Sequence, residues 1–379
     1  MPVDAALITL RRELHEHPEL AFQEIATRDI LERFVTATVA GDRRFRIIRC
    51  LETALIVEYR GADTREPFLL FRADMDALPL TEDPTHPVVS KRPGLMHACG
   101  HDVHMTVLAA LVARVVAHGP DRNVLFVFQP GEEGAGGAKR MLDAGLFDGY
   151  AVRAAFALHV TDEHLLGEAA TRTGVLFAMP REVDIAFTGT AGHAAFPQKA
   201  HDALFAATRF VQQVPASLAK TLDPMRPFLF HVGRIAGGTA RNIVADSCVL
   251  NATMRALDPV TMERGAAVVE ETARAAAAQA GCAYRIEALG EFLPVVCDGA
   301  LVERFREICA RTGTRFVESD TKLVGEDFGF FCARWPSLLF WLGTRREGEP
   351  PRALHTAALY PPDEAIARGA ALFEALLNV

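Results

Sequence analysis

Three short apolar runs, each cut off by polar residues, constrain this chain more than any other feature. Pro67-Phe68-Leu69-Leu70-Phe71 runs straight into Arg72-Ala73-Asp74-Met75-Asp76. Asn123 to Phe128 runs into Gln129-Pro130-Gly131-Glu132-Glu133-Gly134, and Ala154 to Leu158 runs into His159. Such runs read as strands buried on both faces of a sheet. Open α/β sheets carry their chemistry just past the carboxyl ends of these strands. The pattern therefore predicts an α/β domain whose central mixed sheet is flanked by helices. It also marks Asp76, Glu132, Glu133 and His159 as groups delivered to one edge, with His159 standing at the end of its strand.

Between the first two strands lies the densest polar stretch in the chain, His97-Ala98-Cys99-Gly100-His101-Asp102-Val103-His104. Three imidazoles, a thiol and a carboxylate fall within eight residues, and burying them without partners would be costly. Cys99 and His101, at i and i+2 in a turn, can both face one centre. A thiolate there could bridge two metal ions. The adjacent carboxylates Glu132 and Glu133 could divide the work, one ligating and the other acting as general base. His159 and His355 are candidate ligands at the remaining corners. Asp74 and Asp76, two apart and on one side of an extended segment, suit the orienting of a metal-bound neighbour. A nucleophilic Cys99 assisted by His101 is a competing chemistry, but it would leave two carboxylates and two distant histidines without a use.

Around these strands, residues 3–38 read as helix split at Pro18, residues 53–59 as a strand, and residues 80–95 as loop. Val103 to His118 and Gly137 to Leu142 read as helices. From about residue 181 the pattern changes. Strands at 182–189, 228–235, 243–255 and 284–289 alternate with helices at 200–220 and 259–280, giving the order β-α-β-β-α-β of the ferredoxin-like motif. The first character resumes near residue 292 with a helix at 299–311, a strand at 338–342 and a helix at 362–377. The reading is a discontinuous domain of residues 1–180 and 292–379 with an inserted α+β domain of residues 181–291.

Composition excludes more than it selects. A net charge of −8 argues against a nucleic-acid or membrane-surface binder. The seven scattered cysteines form no disulfide framework or zinc knuckle. With no signal-peptide pattern, a reducing, cytoplasmic location is expected.

The motifs R-A-D-M-D-A-L-P from Arg72, H-A-C-G-H-D from His97, Q-P-G-E-E-G from Gln129, Leu158-His159, Gly192-His193, Gly325-Glu326-Asp327-Phe328 and Leu354-His355 occur in one order. Together they resemble the dinuclear-metal aminoacylase/carboxypeptidase peptidase family. The resemblance is strongest to its branch of hippurate hydrolases, auxin-conjugate hydrolases and N-acetyldiaminopimelate deacetylases, and it covers essentially the whole chain. It implies a metal-dependent hydrolase of N-acyl amino acids with two divalent transition-metal ions per subunit (Mn, Zn, Ni or Co). Cys99 would bridge the metals, and His101, Glu133, His159 and His355 would complete the ligands. Glu132 would be the general base and Asp76 would support the site. The inserted domain would be a lid and a homodimer surface. His193 would reach a partner's site as an oxyanion stabiliser, and Asn242 and Arg255 would hold the substrate. Where the family carries a proline shortly after Asn242, this chain has Ile243-Val244-Ala245. The stretches Gly134 to Ala138, Gly174 to Ala178 and Gly325 to Phe331 are most similar to the N-acetyldiaminopimelate deacetylases. Other aminoacylases such as hippurate hydrolase, a dipeptidase or carboxypeptidase, and a non-catalytic small-molecule binder on the same scaffold are the alternatives.

Overall fold

The computed structural model describes residues 4–379. The expected helical start at residue 3 and the first residues of the expected domain lie outside that range. The chain divides into two compact units. One takes the chain up to Leu176 together with Val295–Thr321 and Asp327–Val379; the other takes Phe177–Pro294 and Lys322–Glu326.

In the first unit, α1 (Ala5–Glu16) and α2 (Ile25–Thr38) are separated at Pro18, which cannot continue a helix. Then follow β1 (Phe45–Cys50), β2 (Ala54–Tyr59), β3 (Phe68–Asp74), α3 (His101–His118), β4 (Asn123–Gln129), α4 (Gly137–Asp143), β5 (Val152–Leu165) and β6 (Glu168–Thr171), with β7 (Gly174–Phe177) at the unit's end. The second unit holds β8 (Met179–Thr188), β9 (Gly192–His193), α5 (Ala203–Thr221), β10 (Phe228–Gly237), β11 (Ile243–Val244), β12 (Ser247–Ala256), α6 (Pro259–Ala280) and β13 (Ala283–Glu291). The first unit resumes with β14 (Val295–Cys297), α7 (Gly299–Thr312), β15 (Arg315–Glu318), α8 (Gly329–Cys332), β16 (Ser337–Arg345) and α9 (Glu364–Leu376).

The sheet of the first unit runs β1-β2-β4-β3-β5-β16-β6-β15. Its centre is parallel, with β3 pairing β4 and β5, and β5 pairing β16. Its flanks are antiparallel at β1-β2 and β2-β4. Every residue of β2, β3 and β4 is buried, which explains the apolar runs at 54–57, 68–71 and 124–128 within them. Helix α3 packs against the sheet and is buried on nearly all sides, as its Val-, Leu- and Ala-rich sequence demands. Burial of each such Val or Leu contributes about 1.5–3 kcal/mol.

His159 does not end its strand. β5 runs on to Leu165, and the apolar run stops early because the neighbours change. Pairing with β3 ends at Arg72–Ala157, and beyond it β5 is held by β16. His159 thus stands two residues past the last β3 pairing, where one edge of the strand opens towards the site.

The second unit is an antiparallel sheet in the order β10-β12-β8-β13, with α5 and α6 on one face. The expected strand at 243–255 is two elements, β11 and β12. Ala245 is buried and its carbonyl takes the Ala203 amide, which turns the chain between them. Among the described residues no helix is long and apolar enough to cross a membrane.

Candidate active site

All the ligand candidates of the first unit meet at the carboxyl edge of its sheet. Cys99, His101 and His159 bring one donor atom each within 4.8 Å of one another. So do Cys99, Glu133 and His355, and so do His101, Glu132 and Glu133. The Cys99 Sγ lies 3.3 Å from both His159 Nε2 and His355 Nε2, and His355 Nε2 lies 3.2 Å from Glu133 Oε1. Cys99 is therefore shared by two overlapping donor sets, the placement a bridging ligand requires.

Local structure explains how these groups converge. Gly100 adopts φ +81° and caps α3, so the chain reverses between Cys99 and His101 and both side chains face one centre. A Cβ at Gly100 would stand 2.4 Å from Val160, so only glycine lets the helix start sit this close to β5. Glu132 and Glu133 follow β4 in a loop whose amides are held by one side chain. Asp76 Oδ1 accepts the Glu132 amide at 3.0 Å and Oδ2 accepts the Glu133 amide at 2.9 Å. The Asp76 carbonyl accepts His101 Nδ1–H at 2.8 Å. His355 closes the set from a left-handed backbone, φ 61°, tied to Ala98 by its amide. Such a conformation costs a non-glycine residue about 1–3 kcal/mol and is characteristic of functional sites.

The imidazoles are presented in one tautomer. His101 and His159 donate Nδ1–H to the carbonyls of Asp76 and Val160, which turns both Nε2 atoms towards the cluster, that of His159 against the Cys99 thiol. His101 Nε2 is buried and has no hydrogen-bond partner. Burial disfavours charge on His159, the nearby His104 adds to this, and its pKa lies well below the ordinary value. Burial would also lower His101, yet Asp74, Asp76 and Glu133 outweigh it and raise it to about 10. The Cys99 thiol is pushed up first by burial and then by Glu133, Glu132 and Asp74. These shifts describe a pocket with surplus negative charge, which a cation would relieve and where it would deprotonate the thiol. An orphaned imidazole nitrogen and a mixed S, N, O donor set fit divalent transition metals.

Behind the ligands, sequence reasoning named Asp74 and Asp76 as orienting groups but missed the network they belong to. Asp74 Oδ1 accepts His104 Nδ1–H at 2.6 Å, and His104 Nε2 accepts the Val160 amide at 2.9 Å, which steadies β5 beside His159. Burial favours protonated Asp74, but His101, His104 and Arg72 hold it well below the usual range. Arg72, fully buried, binds Asp74 and Asp327 at 2.7 and 2.8 Å. Behind α3, Asp102 takes Arg11 Nε–H at 3.1 Å and His15 at 3.0 Å, and His15 also meets Glu82 at 2.7 Å. Burial opposes charge on His15, yet these two carboxylates raise it to about 9. An arginine inside an apolar strand, as at Arg72, was the available signal.

The second unit brings together only two of its three expected residues. His193 on β9 pairs with Ile243 on β11, and Asn242 accepts the Ala194 amide at 3.0 Å. Both are exposed. Arg255 sits near the far end of β12, roughly 25 Å along the strand from this ribbon. It donates to the Leu323 carbonyl at 3.2 Å and lies 3.7 Å from Glu182.

Residues 70–379 match the peptidase family M20/M25/M40. The chain belongs to that family. It is 37% identical over 362 residues to an N-acetyldiaminopimelate deacetylase of Shouchella clausii, covering 95% of this chain and 94% of the relative. It is 34% identical over 360 residues to the enzyme of that name from Listeria monocytogenes, covering 95% of each. A dinuclear metal binding peptidase of the M20 family from Bacillus subtilis superposes with a TM-score of 0.82 at 28% identity, covering 98% of this chain and 96% of that one. An aminohydrolase of methicillin resistant Staphylococcus aureus shares the fold with a TM-score of 0.89 at 23% identity, covering 98% and 95%. Family and site chemistry together make the protein a metal-dependent amide hydrolase.

Proposed function

We propose that the protein removes the acetyl group from N-acetyldiaminopimelate, releasing acetate and a free amine. The observation that carries this reading is the match to deacetylases of that substrate over 95% of the chain. The bridging placement of Cys99 between two donor sets supports a dinuclear centre held by Cys99, His101, Glu133, His159 and His355. Two divalent ions there would polarise the amide carbonyl and acidify water.

Glu132 is the proton-transfer group in this reading, supported by a carboxylate oxygen within 4.8 Å of donor atoms of His101 and Glu133. Its neighbour Glu133 points at His355, while the Glu132 amide is held by Asp76. It takes a proton from water as the oxygen adds to the acetyl carbon, and passes it to the amine nitrogen as the C–N bond breaks. Asp76 does not touch substrate in this scheme; its two oxygens hold the Glu132 and Glu133 amides in place.

His193 and Asn242 act on the substrate carbonyl as hydrogen-bond donors, and Arg255 holds a substrate carboxylate. The separation of roughly 25 Å inside one unit favours division of these residues between two copies. We place His193 and Asn242 at the partner's site, and a homodimer joined through the second unit follows. Leu229 and Ile235 on the edge strand β10 and Leu204 and Phe205 on α5 are exposed apolar side chains suited to such a face.

A substrate panel on metal-reconstituted enzyme tests the reading. N-acetyldiaminopimelate is expected to exceed N-acetyl-, N-benzoyl-amino acids and dipeptides in kcat/KM by about tenfold or more. Preference for a benzoyl amide would move the assignment to hippurate hydrolysis, and preference for dipeptides to peptidase action.

A further inference from the structure

Glu24 is completely buried, yet its side chain does nothing for the helix it heads. It stands at the N-cap of α2 and its side chain makes no capping hydrogen bond. The first turn is served by Glu19 instead, whose Oε2 accepts the Thr27 amide at 2.9 Å and the Thr27 hydroxyl at 3.0 Å. Glu24 reaches elsewhere: its Oε1 accepts the amide of Gly131, 107 residues along the chain, at 2.9 Å. Keeping a carboxyl in the interior is unfavourable. Burial first, and the charge of Asp76 in the same direction, raise Glu24 to about 7.

Gly131 begins the loop that carries Glu132 and Glu133. Two interior carboxyl groups thus hold three consecutive amides, Glu24 taking Gly131 and Asp76 taking Glu132 and Glu133. The Gly131 carbonyl is fixed as well, accepting the Gly137 amide at 2.9 Å. The same segment grips Gly131 from a second side. Phe22, two residues before Glu24, has a left-handed φ of 61°, and its ring lies 2.7 Å from where a Gly131 Cβ would stand. Gly131 itself has φ +64°. The turn between α1 and α2 is strained at Phe22 and buries an acid at Glu24, and both features end on one glycine of the Glu132 loop.

We infer that Glu24 is a positioning residue for Glu132: its carbonyl-type oxygen anchors the Gly131 amide and so sets the direction in which the Glu132 carboxylate points. The inference rests on the reading of Glu132 as the proton-transfer group. What the loop needs from Glu24 is an acceptor at the right reach; its charge is dispensable. A misdirected base loses rate without weakening substrate binding, because reacting groups tolerate little displacement.

The test compares three variants of the full-length, metal-reconstituted enzyme. Glu24→Gln keeps the acceptor and is expected to hold kcat within about threefold. Glu24→Met fills the same space without an acceptor, and Glu24→Asp withdraws the carboxylate by one methylene; each is expected to lose about 10- to 100-fold in kcat. In both, KM and bound metal stay within about twofold, a split that loosened folding would not produce. Introduced beside Glu132→Gln, Glu24→Met is expected to cost nothing further, as for two residues acting through one step. Unimpaired kcat in Met and Asp, equal losses in Gln and Met, loss of bound metal in step with kcat, or an additive loss beside Glu132→Gln would each overturn the inference. Because Met and Asp perturb the site differently, failure of one to fold leaves the other to decide. If Glu132→Gln itself turns over normally, the base assignment fails. If it is inactive while Glu24→Met and Glu24→Asp are normal, the Glu24 inference alone fails.

Discussion

Glu132 and His193 are expected to act on the same amide bond, yet their surroundings differ in nearly every respect. Glu132 is 6% exposed, its amide and those on either side are held by buried carboxyl groups, and its loop springs from a fully buried strand. His193 is exposed on a strand of two residues, and its Nδ1 accepts only the nearby Ala195 amide at 3.1 Å. A preorganised group does not need ordering at the moment of reaction. A group on an exposed ribbon gains its order from whatever covers it. In the proposed sharing of sites, one half of the machinery is complete within a subunit and the other half is completed by a second subunit.

The largest effect should come from the ordered side. Glu132→Gln is expected to lower kcat by about a thousandfold while metal content, measured by elemental analysis, stays unchanged. Near-normal turnover would remove Glu132 from proton transfer. On the exposed side, His193→Ala is expected to lower kcat by about a hundredfold without changing metal content. Mixed dimers of His193→Ala and Glu132→Gln subunits should regain one working site each. Absence of rescue after proven subunit exchange would sink the sharing of sites between copies.

Gly100→Ala probes how little slack the ordered side has. A methyl group 2.4 Å from Val160 at a left-handed φ should destabilise the fold by about 2–4 kcal/mol and weaken metal binding. Thermal unfolding and metal titration would show both. A change at an exposed side chain of the ribbon, such as Ile243→Val, should leave stability within about 0.5 kcal/mol.

The last effect concerns pH. His15 is raised to about 9 in the folded state from an ordinary value near 6.5, so its contribution is complete below about pH 6.5 and disappears as pH rises through 9. Asp102 is shifted the other way; burial opposes this, but Arg11 and His15 prevail, and its contribution is lost only in acid. Stability should therefore fall between pH 7 and pH 10 by at most about 3 kcal/mol. His15→Gln should be less stable at pH 6 and show a flatter alkaline limb. An unchanged alkaline limb in that variant would assign the loss to other groups.

The strands of the central sheet were legible because burial on both faces writes an unbroken apolar run, as in Phe68–Phe71. The edge strands β1 and β15 and the short β6 beside β15 were not. In β1 the exposed Arg46 and Arg49 interrupt half-buried residues, and β6 and β15 have four residues each, too few for a periodic signal. The cluster around Cys99 announced itself by density. His159 was found, but its place within β5 was misread, since the sequence does not reveal that β3 stops pairing at Ala157. Glu24, Arg72 and Asp327 escaped because their partners lie far along the chain: Glu24 meets Gly131 and Arg72 meets Asp327, separations of 107 and 255 residues. A lone buried acid looks like any surface acid until the fold is known.

The order in which these parts leave the ribosome matters for how the enzyme matures. His355 meets Cys99 across 256 residues, and β16 fills the place between β5 and β6 in the central sheet. All of the second unit's main segment, Phe177–Pro294, is synthesised before that strand exists. Until it arrives, β5 has an unpaired edge in a nascent chain whose apolar strands are already made, a template for pairing with other chains. A truncated product would carry Cys99, His101, Glu133 and His159 but not His355, so tight metal retention should report that translation reached the final strand and the loop beyond it.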